Sequence, residues 1–194
     1  MDIGKAIEVV KSELDSDRFE HTLRVIEVSG QLAHRFNGSV EKAKLAAVFH
    51  DYAKNWSVDQ LKAYILKHDL PKDLLEYHSE LWHGPVAAHY IEKEFGVTDE
   101  EVLQAIRHHT TGKAGMNKVD KILYLADYIE PGRSFPELEK VRNASEKHLE
   151  FACWLACKNT LIHLIEKNAI IHPDSFYAYN DLTRKIHTEG LLDG

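Results

Sequence analysis

Lys44-Leu-Ala-Ala-Val-Phe-His-Asp-Tyr-Ala-Lys54 reads as buried helix, because Leu45, Val48, Phe49 and Tyr52 recur at helical spacing with no Gly or Pro between them. Within that run His50 is followed at once by Asp51. Burying a carboxylate beside an imidazole is costly unless something compensates the charge. A metal ion does so most simply, since it takes neutral imidazole nitrogen and carboxylate oxygen together. The pair has companions along the chain: His21 upstream, and His83, His109 and Asp127 downstream.

Outward from this stretch nearly every segment has helical character. Residues 2–14 form an amphipathic piece. Ser16 or Asp17 is placed to cap a second helix, whose stripe of Phe19, Leu23, Ile26, Ala33 and Phe36 ends at Asn37-Gly38. Ser39 caps the helix that carries His50-Asp51. Ser57-Val-Asp-Gln60 and Thr98-Asp-Glu-Glu101 are capping boxes for two more. Gly84-Pro85 opens a helix that Gly96 closes. Residues 118–130 are helical after the loop 110–115, and helices around 145–168 and 174–187 follow. No strand pattern competes, so the fold class is all-α. One domain is expected over 1–194, with a helical C-terminal part from about 145 to 187. The segment from Phe135 to Asn143 is open between a pocket wall or lid and a connecting helix.

With 44% apolar residues the chain can bury a sizeable core. A net charge of −7 argues against a nucleic-acid scaffold, which would carry a basic stripe. It does not exclude an anionic substrate, because bound metal ions reverse the local field. The N-terminus lacks a signal-peptide core, and no apolar run approaches membrane-spanning length. A cytoplasmic protein with no membrane partner is the expectation, and a homodimer is left open. Cys153 and Cys157, four apart, are expected as core thiols.

The thirteen histidines divide into ligands and bystanders. His21 falls beside its apolar stripe. His83 precedes a helix start and His109 sits at a helix end, where a side chain can lean into a cleft. Asp127 interrupts the otherwise apolar Ile122-Leu-Tyr-Leu-Ala-Asp-Tyr-Ile129. Neighbouring helical positions such as His50 and Asp51 point about 100° apart. They can share one ion only if it lies between them, and Asp51 has a second oxygen to offer another. Such a nitrogen and oxygen set suits iron, manganese or cobalt better than structural zinc. His34, His68, His78, His89, His148 and His187 stand in polar contexts without function. His163 belongs to the long helix and His172 to a turn.

The order His…His-Asp…His…His…Asp resembles the HD phosphohydrolase superfamily. The wording of Arg18-Phe-Glu-His21, His50-Asp-Tyr-Ala-Lys54, His83-Gly-Pro, Ile106-Arg-His-His-Thr-Thr-Gly112 and Asp127-Tyr-Ile-Glu-Pro-Gly-Arg133 is similar to its YqeK-type branch of bacterial symmetrical diadenosine tetraphosphate hydrolases. The resemblance spans roughly residues 1–187. It implies an HD-type helical bundle with a di-iron centre. By position, His21, His50, Asp51 and Asp127 would hold one metal, and Asp51, His83 and His109 the second, leaving His108 a bystander.

Two such ions suit phosphoanhydride hydrolysis, since they lower the pKa of a shared hydroxide and stabilise charge at phosphorus. The other phosphates need positive partners. Lys54, one helical turn beyond His50, and Arg18, three before His21, share faces with those ligands. Arg133 lies in a Pro-Gly loop after the Asp127 helix. Thr110, Thr111 and Gly112 could add hydroxyl and N–H donors. The expected activity is a metal-dependent hydrolase of a nucleotide, and the resemblance narrows it to symmetrical cleavage of diadenosine tetraphosphate into two ADP. The alternatives are an HD-type nucleotidase for deoxynucleotides or guanosine alarmones and a non-catalytic nucleotide-sensing module.

Overall fold

Two helices that are buried almost all round form the centre of the molecule. They are α3 (Val40–Phe49), buried at Ala43 and from Leu45 to Phe49, and α7 (Lys118–Ile129), buried from Val119 to Ala126. Around them pack α1 (Ile3–Glu13), α2 (Ser16–Arg35), α5 (His83–Phe95) and α6 (Glu100–His108). α4 (Val58–Lys67) leans on α5, with two 3-10 turns, Lys72–Glu76 and Ser79–Leu81, between them. α8 (Leu138–Ser145), α9 (Leu149–Glu166) and α10 (Pro173–Thr188) complete the chain, α9 lying on α7 and pairing with α10. This computed structural model describes residues 1–191, and no strand occurs among them. The all-α bundle is therefore the observed fold. No helix among the described residues is long and apolar enough to cross a membrane.

The helix starts mostly follow the sequence, with two shifts by one residue. α2 is capped by Asp15, whose carboxylate accepts from the Arg18 N–H at 2.8 Å, and not by Ser16 or Asp17. α6 is capped by Asp99, which accepts from Glu101 and Val102, and not by Thr98. In both cases an aspartate next to the candidate cap reaches the free N–H groups of the first turn. The Ser57 capping box with Gln60 is present.

Two boundaries matter more. α3 stops at Phe49, so His50 is its C-cap and Asp51 starts a run of turns, instead of both lying inside the helix. The open segment after Phe135 becomes α8, seated by Leu138 and Val141, and the long helix starts only at Leu149. The break falls at His148, whose extended backbone (φ −140°) separates two stretches with compatible apolar spacing. Cys153 and Cys157 are buried, and burial pushes both thiols up, Cys157 to about 12, which keeps them inert core residues.

Candidate metal centre

Helix ends converge on one point. The C-cap residues of α3 and α6 supply His50 and His109, the first residue of α5 supplies His83, and the second turn of α2 supplies His21. Asp51 sits in their midst, 3% exposed. Its Oδ1 lies 3.1 Å from His83 Nε2 and 3.7 Å from His109 Nε2. Its Oδ2 lies 3.4 Å from His50 Nε2 and 3.7 Å from His21 Nε2. Each carboxylate oxygen thus serves its own pair of imidazoles. The candidate ligand atoms of His21, His50 and Asp51 lie within 4.8 Å of one another, as do those of Asp51, His83 and His109. Asp127 enters from α7, its Oδ1 3.1 Å from His21 Nε2.

The far ring nitrogens fix the tautomers. His50 Nδ1 lies 2.8 Å from the Ala47 carbonyl and His109 Nδ1 2.8 Å from the Ile106 carbonyl. Both carbonyls belong to the last helical turn, where four acceptors lack intrahelical donors. A carbonyl only accepts, so each Nδ1 carries the hydrogen and a neutral ring presents a lone pair at Nε2. Yet His83 and His109 face each other through Nε2 at 3.0 Å, and His21 and His50 do so at 3.4 Å. Imidazole nitrogens so close, beside a buried carboxylate, are the donor set of a cation site, and His83, whose buried Nδ1 has no protein partner, is free to turn a lone pair to it. Gly84 makes the approach of α5 and α6 feasible, because a Cβ there would stand 3.0 Å from the Ile106 carbonyl oxygen and 3.3 Å from His109 Nδ1.

Protonation agrees with this. Burial, with His83 and His50 nearby, pushes His109 down to about 3, so it stays neutral. Burial also works against charge on Asp51, but His50 and His83 outweigh it and hold the carboxyl well below its ordinary value. Asp127 is lowered likewise by His21, His50 and Arg133 against the effect of burial. Burial weighs most on His50 and opposes its charging, yet Asp51 reverses the balance and raises it. A dipositive ion would take over that role with the ring neutral. Divalent metal binding fits these residues.

Glu130, only 2% exposed, is a functional candidate that sequence reasoning passed over. Its Oε1 takes the His21 Nδ1 hydrogen at 3.1 Å, and its Oε2 accepts from Arg24 Nε at 2.6 Å and from the Gly132 N–H at 2.6 Å. A Cβ at Gly132 would meet the Arg24 guanidinium at 2.6 Å, so a larger residue there would push Arg24 from its place beside Glu130. The signal was a Glu-Pro-Gly three residues after Asp127, at the end of an apolar helix. A carboxylate that orients a metal-binding imidazole is typically worth about 10- to 100-fold in metal affinity or activity. Glu130→Ala should weaken metal binding by roughly that factor, read by competition with a chelating dye. Unchanged affinity would leave Glu130 a plain ion-pair partner of Arg24.

Above the cluster lies a cavity of about 490 Å³ lined by Asp51, His83, His109 and Asp127 and by the cations Arg18, Lys54 and Arg133. Arg18 Nη1 is 2.9 Å from Asp51 Oδ2, and Arg133 Nη2 is 2.6 Å from Asp127 Oδ1. Lys54, in the turns after α3, reaches across to Glu80. Thr110 lines the cavity, and its hydroxyl is buried without a protein partner. Thr111 and Gly112 are placed differently. The Thr111 hydroxyl donates to the Gly112 carbonyl at 2.8 Å, the Gly112 N–H to the His108 carbonyl at 2.7 Å, and Gly112 packs towards Ala178 of α10. Neither donor is free to meet a phosphate in this arrangement. His108 faces Asp174 on the α10 side and stays out of the cluster.

Comparison with known proteins agrees with this geometry. Residues 18–132 match the family model described as HD domain. The chain is 42% identical to a protein of Bacillus subtilis (strain 168) named bis(5'-nucleosyl)-tetraphosphatase, symmetrical, over 93% of this chain and 97% of the relative. It is 43% identical to a protein of the same name from Halalkalibacterium halodurans, over 94% and 97% respectively. A crystal structure from Clostridium acetobutylicum, described as a predicted HD superfamily hydrolase involved in NAD metabolism, superposes with a TM-score of 0.89. It shares 32% identity, with 95% of this chain and 98% of that one covered. The chain belongs to the HD domain family, in the group of the symmetrical bis(5'-nucleosyl)-tetraphosphatases.

Proposed function

We propose that this protein hydrolyses diadenosine tetraphosphate at its central phosphoanhydride link and releases two molecules of ADP. The observation that carries the reading is Asp51, one oxygen towards His21 and His50 and the other towards His83 and His109, at the floor of a cation-lined cavity. The names of near full-length relatives supply the substrate. His21, His50, Asp51 and Asp127 would hold one ion, and Asp51, His83 and His109 the other. Iron is the leading candidate, with manganese or cobalt able to replace it. Bound there, such ions would supply an acidified water and neutralise charge at phosphorus.

The remaining chemistry belongs to the chain's own side chains. Arg18 and Arg133 already contact ligand carboxylates and line the cavity, so they hold phosphate oxygens next to the reacting centre. Lys54 exchanges its surface partner Glu80, whose side chain is 64% exposed, for a phosphate of the substrate. Thr110 offers its unpartnered hydroxyl. Buried imidazoles and carboxylates at the floor keep the reacting end narrow, with the open side left for the nucleosides.

Turnover of a panel of dinucleoside polyphosphates, NAD, deoxynucleotides and guanosine alarmones tests this reading. Diadenosine tetraphosphate should be consumed fastest, and a preference for deoxynucleotides or alarmones would replace it with the nucleotidase alternative. Binding without turnover of any of them would leave the sensor. Lys54→Ala, assayed beside the parent, should keep its metal and lose about ten- to a hundredfold in kcat/KM, the worth of a charge-assisted contact of about 1.5–3 kcal/mol. Activity within about twofold of the parent would return Lys54 to its pairing with Glu80.

A further inference from the structure

A second cavity, of about 570 Å³, opens from the first. The two share Tyr128, Arg133, Phe135 and Thr160 as common walls. Beyond that border the character changes. The inner cavity gathers Arg18, Lys54 and Arg133 over the histidines, whereas the outer one has Arg133 as its only Lys or Arg, at the border, and adds Glu137 and Glu166. Phosphates therefore have no reason to enter the outer cavity. Its other walls are Pro136, Asn159, Ile162 and His163, so the cavity lies between two elements: the end of α7 with the stretch to residue 137, and α9. A slot between two elements with an aromatic and an aliphatic wall fits a flat, largely apolar ring.

Three further observations point the same way. Phe135 is 38% exposed and Ile162 44% exposed, so both walls of this one cavity present apolar surface to a ligand. Phe135 makes a T-shaped contact with Tyr128, centroids 5.1 Å apart, which helps to set its position. Glu137, directly after Phe135-Pro136, adopts a left-handed backbone (φ 67°), a costly conformation for a residue with a side chain. That turn is what redirects the chain into α8 behind Phe135. Apart from Tyr128 the lining of this cavity lies outside residues 18–132, in the part of the chain that follows the matched HD domain.

We infer that the outer cavity is the nucleobase subsite, with the ring between Phe135 and Ile162 and its polar edge read by Asn159. The inference rests on the nucleotide reading above. The base lies outermost, Arg133 at the border meets the first phosphates, and the reacting phosphorus lies over Asp51. An amide such as Asn159 offers one donor and one acceptor, which matches the adenine edge of one acceptor and one amino donor. The guanine Watson–Crick edge presents two adjacent donors, N1–H and the 2-amino group. Replacing Asn159 by aspartate removes the donor and leaves acceptors only, so the preference should move from adenine towards guanine.

The test is equilibrium binding of ADP, GDP and inorganic pyrophosphate to the metal-loaded protein. Ile162→Trp, which fills the slot from its exposed side, should weaken ADP by roughly tenfold or more, the worth of one stacked base, and leave pyrophosphate within about twofold. Phe135→Ala should weaken ADP to a similar extent. Asn159→Asp should lower the ratio of ADP to GDP affinity by about tenfold or more, the worth of one correctly read base edge. Equal loss of ADP and pyrophosphate in Ile162→Trp, or loss of neither, would overturn the subsite. An unchanged ADP to GDP ratio in Asn159→Asp would remove Asn159 from the inference. Because binding is measured without turnover, the outcome separates the two readings. A protein that binds ADP as described but leaves diadenosine tetraphosphate intact keeps the subsite and loses the proposed activity.

Discussion

Asp51→Ala should come out of purification with almost none of the roughly two transition-metal ions expected per parent chain, and hydrolysis should fall to the limit of detection. The reason is geometric. Asp51 alone among the candidate ligands faces both imidazole pairs, one oxygen to each, and every contact is within 3.7 Å. Without it His83 and His109 keep no carboxylate, and His21 and His50 keep only Asp127, so both sites lose the oxygen donor they share. Arg18 would lose its partner too, since Nη1 is 2.9 Å from Asp51 Oδ2. Elemental analysis of the variant beside the parent decides the matter. One tightly held zinc that survives the substitution would end the dinuclear account.

His83→Ala and His109→Ala should each lose one ion and all hydrolysis while the fold persists, whereas His21→Ala should lose activity and the most thermal stability of the three. His83 and His109 project from the ends of α5 and α6 and contact Asp51 and each other. His21 is tied more deeply. It joins α2 to the end of α7 through Asp127 and Glu130, and its removal strands Glu130 Oε1 in the interior. An ion that binds only the folded state at about a hundred times its Kd contributes about 2.7 kcal/mol. For a chain of this size one lost ion is a fall in Tm of roughly 5–10 °C in any of the three variants. His21→Ala adds the loss of its buried bond to Glu130, so it should melt lowest. Metal content and melting of the three variants side by side check this. Two ions retained in the His83 or His109 variant, with normal turnover, would contradict the assignment of the second site.

The bundle was legible in the sequence because its signals are local. Apolar spacing in α3 and α7, the Ser57 box and the Gly96 stop each depend on a few neighbouring residues. The candidate ligands were legible for a different reason: a histidine or aspartate inside an apolar pattern is conspicuous. What the sequence could not give is direction. His50 and Asp51 were read as helix-interior residues, but the helix ends at Phe49, which frees the Ala47 carbonyl for the ring and lets Asp51 turn to the centre. Glu130 was hidden because its role depends on Arg24 and His21, more than a hundred residues away. The Thr110-Thr-Gly112 loop shows the converse. Three adjacent polar positions looked alike, and only tertiary packing turns Thr110 to the cavity and Thr111 and Gly112 to the fold.

Chromatography of the nucleotides formed from diadenosine tetraphosphate by the metal-loaded protein, run in ¹⁸O-labelled water, tests the central claim most directly. Cleavage of the central link gives ADP as the sole nucleotide product, with one labelled oxygen on the terminal phosphate of half the molecules. Equal amounts of AMP and ATP would place the broken phosphoanhydride link one position away and contradict the account.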